Sequence, residues 1–154
     1  MVTLRRAAPA DSDAIAAIHI AARREAMPWL AVVHTDEETR AWVAGIVLPA
    51  QDVRVADVDG RVVGYAARDG AELNDLYVDP AWQGRGVGTA LLHAAMAASP
   101  DELWLWTFQR NAAARRFYER HGFEAVERTD GAGNEEREPD VRYRWIRAAE
   151  APGD

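Results

Sequence analysis

The sequence predicts a single α+β domain from three observations. Strand-like alternation and helical spacing succeed each other along the chain, the order of elements is neither a βα repeat nor a run of strands, and 154 residues with 49% hydrophobic content supply one core. The segment VTLRR, 2–6, alternates and reads as the first strand, ended by Pro9. Ile15, Ile18, Ala22 and Ala26 then recur at helical spacing, so a helix is expected from Asp13 to about Met27, capped by Asp11 or Ser12 and finished before Pro28. Thr35 with Glu38 three positions on resembles a capping box, which starts a second helix at Asp36 that runs to Val47 and stops by Pro49.

A three-stranded meander follows. DVRVADV and RVVGYAAR flank Asp59-Gly60, a dipeptide suited to a type I′ turn, and Asp69-Gly70 turns the chain into ELNDLYV. A helix is expected from the glycine stretch to about Ala98, and then ELWLWTF as a strand whose unbroken apolar run predicts burial on both faces. NAAARRFYERH forms a helix ended by Gly122, and FEAVERT and DVRYRWI supply the last two strands. TDGAGNEEREP, 129–139, is a polar loop, and the folded domain is expected to span 1–148 with 149–154 as a frayed tail.

Composition excludes whole classes of chemistry. All 18 basic residues are arginine, so Schiff-base chemistry and a P-loop lysine are ruled out, and the absence of cysteine removes disulfides, thiolate metal sites and cysteine nucleophiles. The four histidines, His19, His34, His93 and His121, are dispersed without an H-x-x-x-H pair, so no metal is expected. Ser12 and Ser99 are the only serines and neither lies in G-x-S-x-G, which argues against a serine hydrolase. A net charge of -7 disfavours nucleic-acid partners and favours cationic ones. With no apolar run long enough for a signal core or a membrane span, a cytoplasmic protein away from the membrane is expected.

The stretch WQGRGVG, Trp82 to Gly88, concentrates three glycines just before a helix. A dinucleotide fingerprint would need a third glycine where Thr89 stands, within a βαβ unit that is missing here. What remains is a strand, LYV, running into a loop whose amides gather at a helix N-terminus, where the dipole favours an anion such as a pyrophosphate. Gln83-Gly84-Arg85-Gly86-Val87-Gly88 resembles the Q/R-x-x-G-x-G/A motif of the GCN5-related N-acetyltransferases, the GNAT superfamily. LYVDP before it is similar to that family's fourth strand. N-AAARRF-Y-ERHGF, with Asn111, Phe117, Tyr118, Gly122 and Phe123, is similar to its second cofactor helix.

The resemblance covers nearly the whole chain. It implies a mixed, mostly antiparallel sheet of about seven strands flanked by about four helices and splayed between strands four and five. It further implies acetyl-CoA as acyl donor, with no metal. Leu76, Tyr77 and Val78 would meet the pantetheine arm, the Val78 amide polarising the thioester carbonyl, and Gln83 through Thr89 would take the pyrophosphate. Asn111 would touch pantetheine or cap the helix, and Tyr118 would be the general acid or a packing aromatic. Glu72 matches a position where some members place a catalytic base; a solvated edge carboxylate with ordered water as base is the alternative. Unbroken alternation would put Asp75 on the face opposite Glu72. Trp29 and His34, between the first two helices, would line the acceptor pocket, and the acidic residues of 129–139 would attract a cationic amine at its rim or simply be solvated. The expected activity is direct transfer of acetyl to a primary amine of a small molecule or peptide in a ternary complex, by a monomer or homodimer. A non-catalytic acyl-CoA sensor or scaffold of the same fold is the alternative.

Overall fold

The structure, a computed structural model, describes residues 1–99 and 101–148; the expected tail 149–154 lies outside them. Strands β1 (Thr3–Arg6), β2 (Asp52–Val58), β3 (Arg61–Asp69), β4 (Glu72–Val78), β5 (Glu102–Phe108), β6 (Glu124–Thr129) and β7 (Asp140–Ile146) form one sheet in the order β1-β2-β3-β4-β5-β7-β6. Every pairing is antiparallel except β4 with β5, which is parallel. Asp59 and Gly60 both have positive φ, 50° and 86°, which is the type I′ geometry whose twist matches the flanking strands. This is the mixed sheet that the resemblance implies.

Helices cover both faces. Helix α1 (Ser12–Ala26) buries the stripe Ile15, Ala16, Ile18 and Ala22, and packs on Val53, Val55 and Tyr65 of β2 and β3 together with Val43 and Val47, which follow the exposed helix α2 (Asp36–Trp42). Helix α3 (Val87–Ala98) buries Leu91 and Leu92 on the other face, against Val63, Leu73, Leu103 and Leu105, and α4 (Ala112–Arg120) adds Tyr118. Each fully buried leucine contributes roughly 1.5–3 kcal/mol. No helix among the described residues is long and apolar enough to cross a membrane.

Three sequence expectations need correction. Helix α2 starts at the Thr35–Glu38 capping box as expected, but it does not stop by Pro49: its axis continues through a π turn, Val43–Val47, into a closing turn, Leu48–Ala50. The Leu48 amide reaches back to Val43 O, and this wider turn seats Pro49, which has no amide to donate. Strand β5 is buried on one face only: Leu103, Leu105 and Thr107 point inward, whereas Trp106 is 47% exposed and lies with Trp104 beneath the Arg142 guanidinium. The third correction concerns β4. Ala67 pairs with Asp75 and Arg68 with Leu73, so Asn74 is an unpaired bulge residue that breaks the alternation. Leu73, Leu76 and Val78 pack on the α3 side, while Tyr77 packs on the α1 side. Asp75, two residues before Tyr77, shares that α1 face with Glu72 instead of opposing it.

The loop between β6 and β7 is built rather than merely solvated. Asn134 donates to Glu138 O at 2.8 Å and to Asp140 at 3.1 Å, and Gly131 turns beneath them at φ +84°. A Cβ on Gly131 would lie 2.3 Å from the Glu138 carbonyl carbon. Gly131→Ala is expected to destabilise the fold by about 2–4 kcal/mol, lowering Tm by roughly 5–15 °C in a thermal melt; an unchanged Tm would contradict this account of the loop.

Candidate active site

Two cavities meet at β4. After the single pair Glu72–Trp104, strands β4 and β5 share no further ladder, so the sheet opens along the rest of β4. The Asp79 amide bonds Val63 O at 2.8 Å across β3, and alternation therefore turns the backbone groups of Val78 and Leu76 the other way, into the opening. The larger cavity, about 660 Å³, runs through this gap between β4, the glycine loop, β5 and α4. The smaller, about 440 Å³, lies between α1, α2, the connection joining them and the β6–β7 loop. Arg23, Met27 and Asp75 line both.

The larger cavity is shaped for an anion-bearing, elongated ligand. Gly84 and Gly86 adopt φ +76° and +82°, a Cβ on either would meet nothing within 4 Å, and Gly86 caps α3 with no side chain bonded to its first turn. The first-turn amides of α3 are thus left for a ligand at the positive end of the helix dipole. Leu76, Tyr77, Val78, Gln83, Gly84, Gly86, Val87, Gly88, Thr89, Asn111 and Tyr118 all line this cavity. Arg85 does not; its guanidinium stacks 4.7 Å from the Trp82 ring. Asn111 caps α4, accepting from the Ala114 amide at 3.2 Å, so capping and cavity lining hold together. Tyr118 is buried, yet its hydroxyl makes no hydrogen bond to a described residue, and burial holds its phenol well above the ordinary value, protonated at neutral pH.

Other expected residues fall elsewhere. Glu72 lines neither cavity: Arg142 grips both its carboxylate oxygens, at 2.7 Å for Nη1 and through a shorter contact from Nη2. Trp29 lines neither cavity and packs edge-on to Phe108 under the Arg110 guanidinium. His34 does line the smaller cavity, where its Nε2 meets Glu135 at 2.8 Å; that hydrogen bond raises the imidazole pKa.

Sequence reasoning missed the residue at the junction. Asp75 is buried, its Oδ2 has no hydrogen-bond partner, and burial pushes its pKa up to about 6, opposed by the Arg23 charge. Arg23 donates to the Tyr77 hydroxyl at 2.9 Å and to Glu136 at 3.2 Å. His19, four residues earlier, meets the Tyr65 hydroxyl at 2.8 Å and is held neutral by burial, its pKa lowered to about 4. Thr107 was missed as well: its Oγ1 is buried without a partner where β5 lines the larger cavity. Both were legible only as polar residues inside apolar strands. An unpaired carboxylate poised near neutrality between two cavities can take a proton from a group arriving on one side.

Similarity to known proteins agrees with this geometry. The family described as Acetyltransferase (GNAT) domain matches over residues 49–125. An uncharacterized N-acetyltransferase of Mycobacterium tuberculosis is 39% identical over 85 residues, which cover 49% of this chain and 54% of that protein. The chain therefore spans about half the length of such curated relatives. YjaB of Escherichia coli superposes with a TM-score of 0.80 at 23% identity, over 96% of this chain and 99% of that one. The PaiA N-acetyltransferase of Thermoplasma acidophilum, solved in complex with coenzyme A, superposes with a TM-score of 0.73 at 17% identity, over 96% and 99% of the two chains. At these identities the two structures share the fold.

Proposed function

Since the chain belongs to the GNAT acetyltransferase family, we propose that it moves an acetyl group from acetyl-CoA to a primary amine of a small molecule or peptide, directly, within a ternary complex. The observation that carries this reading is the position of Asp75 where the two cavities join. Acetyl-CoA supplies the acetyl group as a thioester, and the larger cavity suits it: amides at the α3 N-terminus for the pyrophosphate, the open edge of β4 and the free Thr107 hydroxyl for the pantetheine. The amine enters from the smaller cavity.

The residues divide the work by charge. An alkylamine of pKa ~10.4 is neutral in only about one molecule in a thousand at pH 7, so removing its proton is the larger task. Asp75 takes that role in place of Glu72, because Asp75 lines both cavities and its buried Oδ2 has no hydrogen-bond partner, whereas Glu72 is held by Arg142. The Val78 amide donates to the carbonyl oxygen as charge develops there. A C–N bond forms as the C–S bond breaks; of the two protons the ammonium loses, the first goes to Asp75, and the second restores, by way of solvent, the proton that the Tyr118 hydroxyl donates to the leaving sulfur. No cysteine exists to carry an acyl group, which favours direct transfer.

Calorimetric titration tests the donor site. Micromolar binding of acetyl-CoA is expected, with NADH and ATP at least tenfold weaker. Gly86→Val should weaken acetyl-CoA binding by about 10- to 100-fold, because a β-branched residue resists φ +82° and its side chain enters the space left for the anion. Full affinity in a folded Gly86→Val protein would remove the glycine loop from the site.

A further inference from the structure

The smaller cavity has an uneven balance of charge. Five carboxylates line it, Asp36, Glu38, Asp75, Glu135 and Glu136, against the guanidiniums of Arg23 and Arg24. Both guanidiniums already hold carboxylates: Arg24 meets Asp36 at 2.6 Å, and Arg23 meets Glu136 at 3.2 Å. The one imidazole near the rim, His34, is matched with Glu135 at 2.8 Å and lies 3.9 Å from Glu38. Among the described lining residues, every cation therefore has its anion, while the buried Asp75 Oδ2 has no partner. Most of the remaining wall is apolar, with Ile20, Met27, Leu30, Val33 and Trp42 contributing beside the polar His19 and Thr39. Trp42 also stacks edge-on against His19, at 5.4 Å between ring centroids.

We infer that the acceptor is a hydrophobic primary amine with no acidic group beside the nitrogen. The inference rests on reading the smaller cavity as the acceptor side. An ammonium is attracted by the surplus of carboxylates, and its apolar body is covered by the aliphatic and indole wall. A carboxylate or phosphonate on the carbon bearing the amine would instead enter beside Asp75 and Glu135 with no free cation to receive it. It would have to break the half-buried Arg23–Glu136 pair and leave Glu136 unmatched beside Asp75, or compete with Asp36 for the exposed Arg24, where water already screens the charge. At about 440 Å³ the cavity admits an aromatic ring and a short chain.

Phenethylamine and phenylalanine differ only in the acidic group, and they serve as probes. Each is titrated calorimetrically into protein saturated with coenzyme A. Phenethylamine is expected to bind at least tenfold more tightly than phenylalanine. Equal affinities, tighter binding of phenylalanine, or no binding of either would overturn the inference. If coenzyme A itself fails to bind, the donor reading falls separately, and the same pair titrated into the free protein still decides the acceptor class. Val33→Arg places a guanidinium on an exposed part of the same wall. It should narrow the preference by at least threefold, because the selection is local and not a product of the protein's overall negative charge. An unchanged ratio in that variant would also contradict the assignment.

Discussion

Replacing Asp75 by Asn should lower kcat by about 10²- to 10⁴-fold while leaving the affinity for acetyl-CoA within about threefold, as expected for loss of a general base outside the donor's anchoring loop. In the parent protein kcat/KM should rise with pH and level off above about 6, where burial has moved the Asp75 carboxyl. The Asn variant should lose that inflection. A stability signature follows from the same group. Asp75 ionises at 3.8 when exposed and at about 6 in the fold, so the native state binds more protons than the unfolded chain between those values. Stability contributed by this group is therefore intact below pH 4 and is lost as pH rises through 6. The difference in unfolding free energy between the Asn variant and the parent should shift in favour of the variant by on the order of 3 kcal/mol from pH 4 to pH 8. Denaturant titrations at the two pH values measure it. A flat difference, or full activity in the variant, would remove Asp75 from the mechanism.

Tyr118→Phe should reduce kcat by about 10- to 1,000-fold. Its fold should be undisturbed, because the hydroxyl makes no hydrogen bond to a described residue and the ring packs among Phe117, Phe123 and Tyr143 whether or not it carries oxygen. The defect is smaller than that of Asp75→Asn because a thiolate from a thiol of pKa ~8.5 leaves more readily than an alkylammonium surrenders its proton. With a donor whose thiol has a lower pKa, the gap between Phe variant and parent should shrink. An unchanged rate with acetyl-CoA would reduce Tyr118 to a packing residue.

Much of the architecture can be read from the sequence because it rests on local periodicity. The Asp59-Gly60 turn, the α1 stripe and the capping box at Thr35 each depend on neighbours a few residues away, and each is where the pattern puts it. The errors arise where distant contacts override the local pattern. Pro49 ordinarily stops a helix, but the π turn before it absorbs the missing amide, and nothing in VAGIVLP announces that turn. Trp104 and Trp106 look like core residues by composition, yet they form an outer face because Arg142 and Arg144, forty residues on by chain and adjacent by register, cover them.

The glycine loop at the α3 N-terminus is legible because its glycines lie within seven residues of one another. The junction is not, because the direction of Asp75 depends on one unpaired residue, Asn74, and a bulge is a property of the pairing with β3. Glu72 draws attention by its match to a position where some family members place a base, and unbroken alternation points Asp75 away from it; with the bulge, Asp75 turns to the α1 face and lines both cavities, while Arg142 arrives from β7 to hold Glu72. Trp29 lay in the right segment by sequence, but its ring is drawn to Phe108 and Arg110, leaving His34 as the residue of that pair on the smaller cavity.

Release of the coenzyme A thiol on rapid mixing of the protein with acetyl-CoA, with and without phenethylamine, tests the central claim of direct transfer from one cavity to the other most directly. The account predicts thiol release that requires the amine, equals the acetylated amine formed, and shows no burst when the amine is omitted. A stoichiometric burst of thiol without amine, or no release with it despite bound acetyl-CoA, would contradict the account.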